Sequence, residues 1–199
     1  MSSTTSLTVA PVAAPTARTD AADEVTSGGA TLHGTVNARN EATTVWFEYG
    51  LSTLYISGIA ATPNSVSGLS DVLVSAGVSG LLPNTTYHYQ VVAENSAGRT
   101  EGGDRVFTTA KIPPAFLSLG VTSGERDAAI QVTVIANNAE TSMSLEYGPT
   151  SAREWSVPGD PPTVSGMDAT IVSFALADLT PNMTYYYRIV AESDGETAL

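Results

Sequence analysis

The sequence contains no cysteine, one lysine and two histidines among its 199 residues. Without cysteine, the chain can form neither a disulfide nor a thiolate nucleophile. Lysine and arginine together number 8 against 20 acidic residues, which gives a formal net charge of −12. Binding to a phosphate backbone or to an anionic membrane surface requires clustered basic side chains. The composition therefore argues against a nucleic-acid partner.

Long apolar runs are also missing. No stretch reaches the about 18 consecutive apolar residues that a membrane-spanning helix needs, so we expect no membrane insertion. Residues 1–14 lack the basic start and the long apolar segment of a signal peptide. Together with the initial Met, this favours two origins: a virion protein, or a piece of an exported bacterial protein. Both origins predict a location on a virus particle or on an extracellular surface.

Residues that carry catalysis or bind metals are sparse. His33 and His88 both fall on predicted outward faces of strands, where an imidazole is not buried and oriented for catalysis. Neither a His-x-x-x-His pair nor an Asp-x-Asp-x-Asp-Gly loop occurs. The Gly-Gly pairs at 28–29 and 102–103 lack the following helix of a phosphate-binding loop. The sequence thus predicts no catalytic, metal or cofactor site, and a protein that is not an enzyme.

What the sequence does contain is an internal repeat. Residues 48–50 (Glu-Tyr-Gly) return as residues 146–148, and Leu81 returns as Leu179, both at a spacing of 98 residues. A fixed period near 100 residues fits one immunoglobulin-like sandwich per repeat. The repeat therefore predicts two domains of the same fold.

Alternation of apolar residues with period two predicts the strands of each repeat. The predicted core faces of the first repeat include Leu32, Val36, Val45, Phe47, Tyr49, Val74, Ala76, Val78, Tyr87, Tyr89, Val91, Ala93 and Phe107. Residues 51–71 match residues 149–169 poorly, which predicts an irregular edge strand with loops. We expect no helix longer than a single turn.

The turn before the last long strand carries a family resemblance. Its pattern, Leu-x-Pro-x-Thr-x-Tyr, is formed by Leu81, Pro83, Thr85 and Tyr87, and it returns with one change as Leu179, Pro181, Met183 and Tyr185. This pattern resembles the turn into strand F of a fibronectin type III module. The resemblance, to modules of the bacterial and phage surface-protein type, implies an all-β fold of two tandem sandwiches. It also implies that Tyr87 and Tyr185 are tyrosine corners, whose rings enter the core and whose hydroxyls bond upstream backbone.

The resemblance and the repeat divide the chain into three parts. Residues 1–14 are predicted to be an extended N-terminal tail, residues 15–110 the first domain and residues 111–199 the second domain. In the second domain, Leu199 corresponds to Glu101 of the first, so a full last strand is missing. The preceding strand, Tyr185 to Ala191, is then expected to have an open edge.

Three explanations of this open edge follow from the sequence. The tail segment around Leu7 and Val9, which alternates polar and apolar residues, could pair with the edge in a neighbouring subunit. The chain could instead be a truncated piece of a longer protein. The domain could also close differently, for instance by shifting its first strand onto the exposed edge.

Two tryptophans are further candidate interaction residues. Trp46 lies between inward-facing residues and is expected to point outward, and its counterpart is Ser144, so the fold does not demand a large side chain there. Trp155 lies in the variable edge region. An exposed tryptophan can stack on a sugar or be buried in a protein interface. The tail, the linker or the other domain could also cover it.

These observations predict a non-catalytic structural and interaction module without cofactors. We expect it to assemble on a surface or to be displayed from it, for example as a decoration protein of a virus capsid or tail. Its expected partner is a protein or another copy of the chain, bound through the tail or the open edge. The alternative is a carbohydrate-binding or spacer domain excised from an exported bacterial enzyme or adhesin.

Overall fold

The computed structural model of the chain describes residues 11–193 and 196–198. Every regular element in these ranges is a β-strand, and they contain no helix. A helix able to cross a membrane is accordingly absent from the described ranges. The main division between two compact units falls between Thr109 and Ala110. Residues 11–14, at the end of the predicted tail, form no strand, whereas Leu7 and Val9 lie outside the described residues.

The two units contain similar sets of strands. The first unit contains β1 (Thr16–Asp23), β2 (Gly29–Asn37), β3 (Thr43–Gly50), β4 (Ser57–Val66), β5 (Asp71–Ser79), β6 (Thr86–Asn95), β7 (Gly98–Glu101) and β8 (Arg105–Thr108). The second contains β9 (Ala115–Ser123), β10 (Ala128–Ile135), β11 (Thr141–Gly148), β12 (Trp155–Val164), β13 (Thr170–Leu176), β14 (Tyr186–Ser193) and β15 (Glu196–Ala198).

The first domain is a sandwich of two antiparallel sheets. One sheet has the order β1-β2-β5, and the other has the order β4-β3-β6, with β7 and β8 both paired to β6. Strand β4 touches both sheets, because Thr62 pairs with Ser75 of β5. The second domain repeats this order as β9-β10-β13 and β12-β11-β14-β15. This strand order resembles that of a fibronectin type III sandwich and confirms the predicted fold class.

Each sandwich encloses its own core, built from the inward positions of the alternating strands. In the first domain the largest fully buried side chains are Phe47, Leu32, Val36, Val45, Val74, Tyr89, Val91 and Val92. In the second they are Phe174, Ile130, Met143 and Leu145. Val92 lies on the outer face of β6, opposite Trp46 of β3. Its full burial shows that the outer face of this sheet is also partly covered in the first domain.

Two elements differ from the sequence-based expectation. The region predicted as an irregular edge with loops contains the ten-residue strands β4 and β12, whose pairing to β3 and β11 is interrupted at the same repeat position. The last strand of the first domain, predicted from Asp104 to Thr109, is observed as β8, and an additional short strand, β7, precedes it before Gly102 and Gly103. A Cβ atom on Gly102 would lie 2.6 Å from the backbone nitrogen of Thr19, so this close approach requires glycine.

The edge of the second domain is less open than the sequence suggested. Strand β15 pairs with the end of β14, where Ala191 lies opposite Ala198. From Tyr186 to Val190, the only strand of the described residues that pairs with β14 is β11. The first strand of this domain, β9, pairs with β10 and is not shifted onto the free edge of β14. The observed open edge is therefore five residues long.

Candidate interaction sites

The aromatic residues of β6, Tyr87 and Tyr89, contact neighbouring strands at one side of the first domain. Tyr87 is buried, and its ring stacks on Phe107 of β8 with 5.8 Å between the centroids. Phe107 also meets the edge of Tyr89 at 5.7 Å. The Tyr89 hydroxyl donates a hydrogen bond of 2.6 Å to the carbonyl oxygen of Asp20 in β1, and burial raises the pKa of this hydroxyl. Sequence reasoning placed Tyr89 in the core but missed its bond to β1.

In the second domain, Tyr185 lies just before β14 and is half-buried. Its hydroxyl accepts a hydrogen bond of 3.0 Å from the backbone nitrogen of Thr180, five residues upstream. Such a bond holds the turn before the strand against the aromatic ring. The tyrosine-corner roles of Tyr87 and Tyr185 stay predictions, for which substitution by phenylalanine is the direct test.

Trp46 lies on the outer face of β3 and is half-buried. Its indole nitrogen donates to a carboxylate oxygen of Glu48 at 3.2 Å, and the guanidinium carbon of Arg99 lies 5.5 Å from the ring centroid. Arg99 also binds both carboxylate oxygens of Glu48 at 3.0 Å. Burial alone would raise the pKa of Glu48, but hydrogen bonds from Gln90, Trp46 and Arg99 hold it below its usual value. A cation from the same domain therefore covers this tryptophan.

Trp155 begins β12 and is 47% exposed. Its ring centroid lies 5.5 Å from that of Tyr147 and 6.4 Å from that of Tyr185, and the two tyrosine rings are 6.5 Å apart. Three aromatic side chains from three elements thus form one cluster at the surface of the second domain. Unlike Trp46, Trp155 presents nearly half of its surface to solvent, so it is the tryptophan better placed to bind a partner.

The free edge of the second domain is flanked by exposed apolar side chains. Leu117, Leu119 and Val121 alternate along β9 and are 56%, 54% and 50% exposed. On the free edge itself, Tyr186 and Tyr187 are also exposed. The first domain has smaller or polar residues at the corresponding part of β1. There Thr19 is buried, its backbone nitrogen donates to the carbonyl oxygen of Gly102, and its hydroxyl accepts a bond from the backbone nitrogen of Val91.

Two depressions lie between β9 and β14, and Tyr187 lines both of them. The first has a volume of about 290 Å³; its lining includes the apolar and aromatic residues Val121, Ile130, Tyr147, Leu179 and Tyr185 and the acidic residues Glu125 and Asp127. The second has a volume of about 560 Å³; its lining includes Phe116, Leu117, Leu119, Val132 and Ile189 together with Arg188. We call the two depressions together the edge groove.

The end of the predicted tail and the residue after it are bound to the first domain. The side-chain nitrogen of Asn95 donates to the carbonyl oxygen of Ala13 at 2.9 Å. The hydroxyl of Thr100 donates to the carbonyl oxygen of Pro15 at 2.7 Å. The backbone at Ala13 and Pro15 is therefore held beside the hairpin of β6 and β7.

Both histidines bind carboxylates at the surface of the first domain. His33 contacts Asp23 at 2.8 Å, and His88 contacts Asp104 at 2.9 Å. Asp104 also accepts a bond of 2.7 Å from the hydroxyl of Tyr55. Burial opposes ionisation of Asp104, but the bonds from Tyr55 and His88 lower its pKa below the usual value. The bonds of Asp104 to His88 and Tyr55 attach the segment before β8 to β6 and to the loop between β3 and β4.

The described residues contain no cluster of three or more potential metal ligands.

Comparisons with known proteins returned only structural similarities. No family model and no curated protein matches the chain. The sensor domain of the anti-sigma factor RsgI4 from Pseudobacteroides cellulosolvens, in its short form, is 22% identical, with a TM-score of 0.39. That match covers 51% of this chain and 100% of the sensor domain.

Two animal structures match a larger part of the chain. A segment of two fibronectin type III domains from chicken tenascin is 14% identical, covers 94% of this chain and 97% of its own, and has a TM-score of 0.44. The FN1–FN3 domains of chicken CNTN1 are 17% identical, with coverage of 94% and 65% and a TM-score of 0.39.

Proposed function

We propose that this chain is a non-catalytic structural and interaction module that assembles with other proteins, or with copies of itself, on the outside of a virus particle or cell. The observation that carries the proposal is the row of Leu117, Leu119 and Val121 beside the open edge of the second domain. Each of these side chains leaves about half of its surface in contact with solvent. Apolar groups grouped in this way mark an interaction surface, because covering them releases ordered water.

Self-association of the full chain is the first test. We expect sedimentation velocity to show larger species as the protein concentration rises. Leu119→Asp should reverse this association, because a carboxylate would have to be buried in the interface. Ile171→Asp is the matched control, since Ile171 is 60% exposed on β13, which β10 separates from β9. Equal loss of association in both variants would show a general effect of charge and would contradict the proposal.

The location can be tested separately from the association. An antibody against this chain should label intact cells or purified virus particles of the source, and immunogold microscopy distinguishes the two. A signal confined to the interior of cells would contradict display on a surface. The net charge of −12 supports solubility in either setting, because it keeps exposed surfaces from aggregating non-specifically.

The cluster of Trp155, Tyr147 and Tyr185 favours a second candidate function, carbohydrate binding. Exposed aromatic rings stack on the apolar faces of sugar rings, and Trp155 is the most accessible ring of this cluster. Screening on a glycan array, followed by calorimetry, would test this function. We expect Trp155→Ala to abolish any binding and Trp46→Ala to preserve it, because Arg99 already covers Trp46. Equal effects of the two changes would contradict a site at Trp155.

A further inference from the structure

We infer that the turn between β3 and β4 of the first domain, residues 51–56, is the contact site for a protein partner whose surface has an apolar pocket with basic side chains at its rim. We call these residues the apolar turn. The turn belongs to the first domain, whereas the edge groove and the row of Leu117, Leu119 and Val121 belong to the second. The inference therefore adds another surface to the proposed function and does not depend on that row.

Three apolar side chains of this turn extend into solvent. Leu51 is 58% exposed, Leu54 is 82% exposed and Ile56 is 84% exposed. The fractions for Leu54 and Ile56 are the largest among the exposed large apolar side chains of the described residues. Side chains with so little cover project from the domain and do not line a groove. Projecting apolar groups fit a concave partner surface, where they fill a pocket as anchor residues.

The second domain contains a turn with the same backbone pattern. The backbone nitrogen of Tyr55 donates to the carbonyl oxygen of Ser52 at 3.2 Å, and the backbone nitrogen of Arg153 donates to that of Thr150 at the same distance. Tyr55 and Arg153 also share a positive φ, of 43° and 51°. Each residue lies 98 positions from its counterpart, which is the spacing of the repeat. Residues 149–154 are therefore a matched turn.

The side chains on this shared backbone differ between the two domains. Leu51, Leu54 and Ile56 of the first domain correspond to Pro149, Ala152 and Glu154 of the second. The turn thus forms without large apolar side chains, so folding does not explain their presence in the first domain. Large apolar groups that the fold does not need, grouped at the surface, indicate a contact with another molecule.

A hydrogen-bonded anchor holds the apolar turn in place. The Tyr55 hydroxyl donates a bond of 2.7 Å to one carboxylate oxygen of Asp104, and the other oxygen contacts Nδ1 of His88 at 2.9 Å. These bonds join the turn to β6 and to the segment before β8. A turn that is fixed before binding loses less conformational entropy when a partner covers it. Tyr55 is therefore a positioning residue for its neighbours Leu54 and Ile56.

The charges around the apolar turn are mainly negative. Burial, the bond to Asp104 and the charges of Asp104, Glu101 and Glu48 all raise the pKa of the Tyr55 hydroxyl. Arg99 contacts Glu48 and Glu101, both at 3.0 Å, so one guanidinium faces three carboxylates. This acidic rim complements basic side chains around a partner's pocket. It repels an anionic membrane and also a second copy of a chain whose formal charge is −12.

Photo-cross-linking is the first step of the test. A benzoyl-phenylalanine in place of Leu54 detects contacts of the apolar turn in the full chain, and the same group in place of the exposed Ala152 detects contacts of the matched turn. On irradiating cells or virus particles of the source, we expect position 54 to cross-link a protein that position 152 does not. A result at position 54 no different from that at position 152 would overturn the inference, as would a cross-link to a second copy of the chain.

Calorimetry with the purified cross-linked protein and the full chain is the second step. We expect Leu54→Asp to raise the dissociation constant by about 100-fold, because a carboxylate would have to enter the apolar pocket. Ala152→Asp adds the same charge at the matched turn and should leave the affinity unchanged. Binding should also weaken as the salt concentration rises, because charges across the rim are then screened. Equal effects of the two variants, or binding that salt does not weaken, would overturn the inference.

Tyr55→Phe tests the anchor separately from the apolar contact. The change removes the bond to Asp104 and keeps the aromatic ring, so we expect the dissociation constant to rise by about tenfold, less than with Leu54→Asp. Hydrogen exchange should become faster in residues 52–56, while the circular dichroism spectrum stays the same. Faster exchange with unchanged affinity would show that Tyr55 does not position the turn for binding.

Two further measurements distinguish the remaining occupants. Vesicles of phosphatidylcholine, with and without phosphatidylserine, should not bind the full chain; vesicle binding that Leu54→Asp abolishes would replace the protein partner with a membrane surface. Self-association of the full chain should be unchanged by Leu54→Asp, although Leu119→Asp reverses it. Loss of self-association with Leu54→Asp would mean that the turn contacts a second copy, so the inference would fail while the proposed function stands.

Discussion

In the first domain, Phe107 packs against the rings of Tyr87 and Tyr89, whereas in the second domain Tyr185 and Tyr187 line an open depression of about 290 Å³. The difference extends across the sandwich. Backbone bonds join Gly102 to Thr19 and to Val91, so the closing segment ties the first and last strands of the first domain together. In the second domain, the facing strand β9 presents a row of exposed apolar residues instead.

This comparison shows what one short segment does for such a sandwich. The two domains share strand order and most core positions. In the first domain, the segment with β7 and β8 covers one side of the core and pairs with the edge of β6.

The largest expected effect comes from removing the side chain that closes the first domain. We expect Phe107→Ala to lower the free energy of unfolding of that domain by about 3–5 kcal/mol, as is typical for a buried phenylalanine. Hydrogen exchange of the full chain should show faster exchange in β6, while β14 serves as the internal control. Unchanged protection of β6 would contradict the role assigned to Phe107.

A smaller effect separates Tyr89 from its counterpart Tyr187. Tyr89→Phe leaves the carbonyl oxygen of Asp20 without this part-buried donor, so we expect a loss of about 1–2 kcal/mol in the first domain. Tyr187→Phe should change the stability of the second domain by less than about 0.5 kcal/mol, because Tyr187 is partly exposed. Denaturant midpoints of the two variants provide the measurement. Equal losses would mean that Tyr187 is bound as tightly as Tyr89.

Phenylalanine substitutions also test the predicted tyrosine corners. Tyr185→Phe removes the acceptor of the Thr180 backbone nitrogen, so we expect the second domain to lose about 1 kcal/mol. Tyr87→Phe should destabilise the first domain by a similar amount if Tyr87 has the same role. If neither change moves the denaturant midpoint, the tyrosine-corner assignment is wrong.

Trp46→Ser should have a modest effect, because the second domain carries Ser144 at the same position. The change removes the contact with Arg99 and the bond to Glu48, which together we expect to contribute about 1 kcal/mol at this half-buried site. Thermal unfolding followed by circular dichroism measures this loss. A loss of several kcal/mol would show that Trp46 belongs to the core.

The smallest expected effect concerns acid pH. Asp104, in the segment that precedes β8, has a pKa below its usual value because the bonds from Tyr55 and His88 outweigh the effect of burial. A carboxyl group with a lower pKa in the folded state stabilises the fold above its unfolded pKa of about 4. This stabilisation is lost as the pH falls through the folded pKa. Asp104→Asn should therefore flatten the decline of the first domain's denaturant midpoint below about pH 4, and an unchanged decline would contradict this role.

The strands were predictable from particular residues because alternation with period two is a local property. Leu32, Val36, Val45 and Phe47 were expected to be inward and are all buried. Strands β4 and β12 were not predictable in the same way. Their sequences, Ser57–Val66 and Trp155–Val164, have little alternation, and neighbouring strands determine their conformation.

The candidate sites were predictable only in part. The outward direction of Trp46 followed from its place between Val45 and Phe47. The contact with Arg99 did not follow, because Arg99 is distant in sequence and is brought to Trp46 by strand pairing. The exposure of Leu117 and Leu119 could not be foreseen either. Both residues lie in a strand that would be expected to bury them, yet each is more than half exposed.

By itself, the sequence determined the number of domains, their all-β class and the inward face of most strands, since these follow from repetition and alternation along the chain. Only the tertiary structure decided that the additional strand β7 precedes Gly102, that Tyr89 is bonded to β1, and that β15 pairs with β14 only from Ala191 onward. The physical reason is that these features depend on contacts between residues about 70 to 80 positions apart, or on which strand edges find a partner, and neither is encoded in a local pattern.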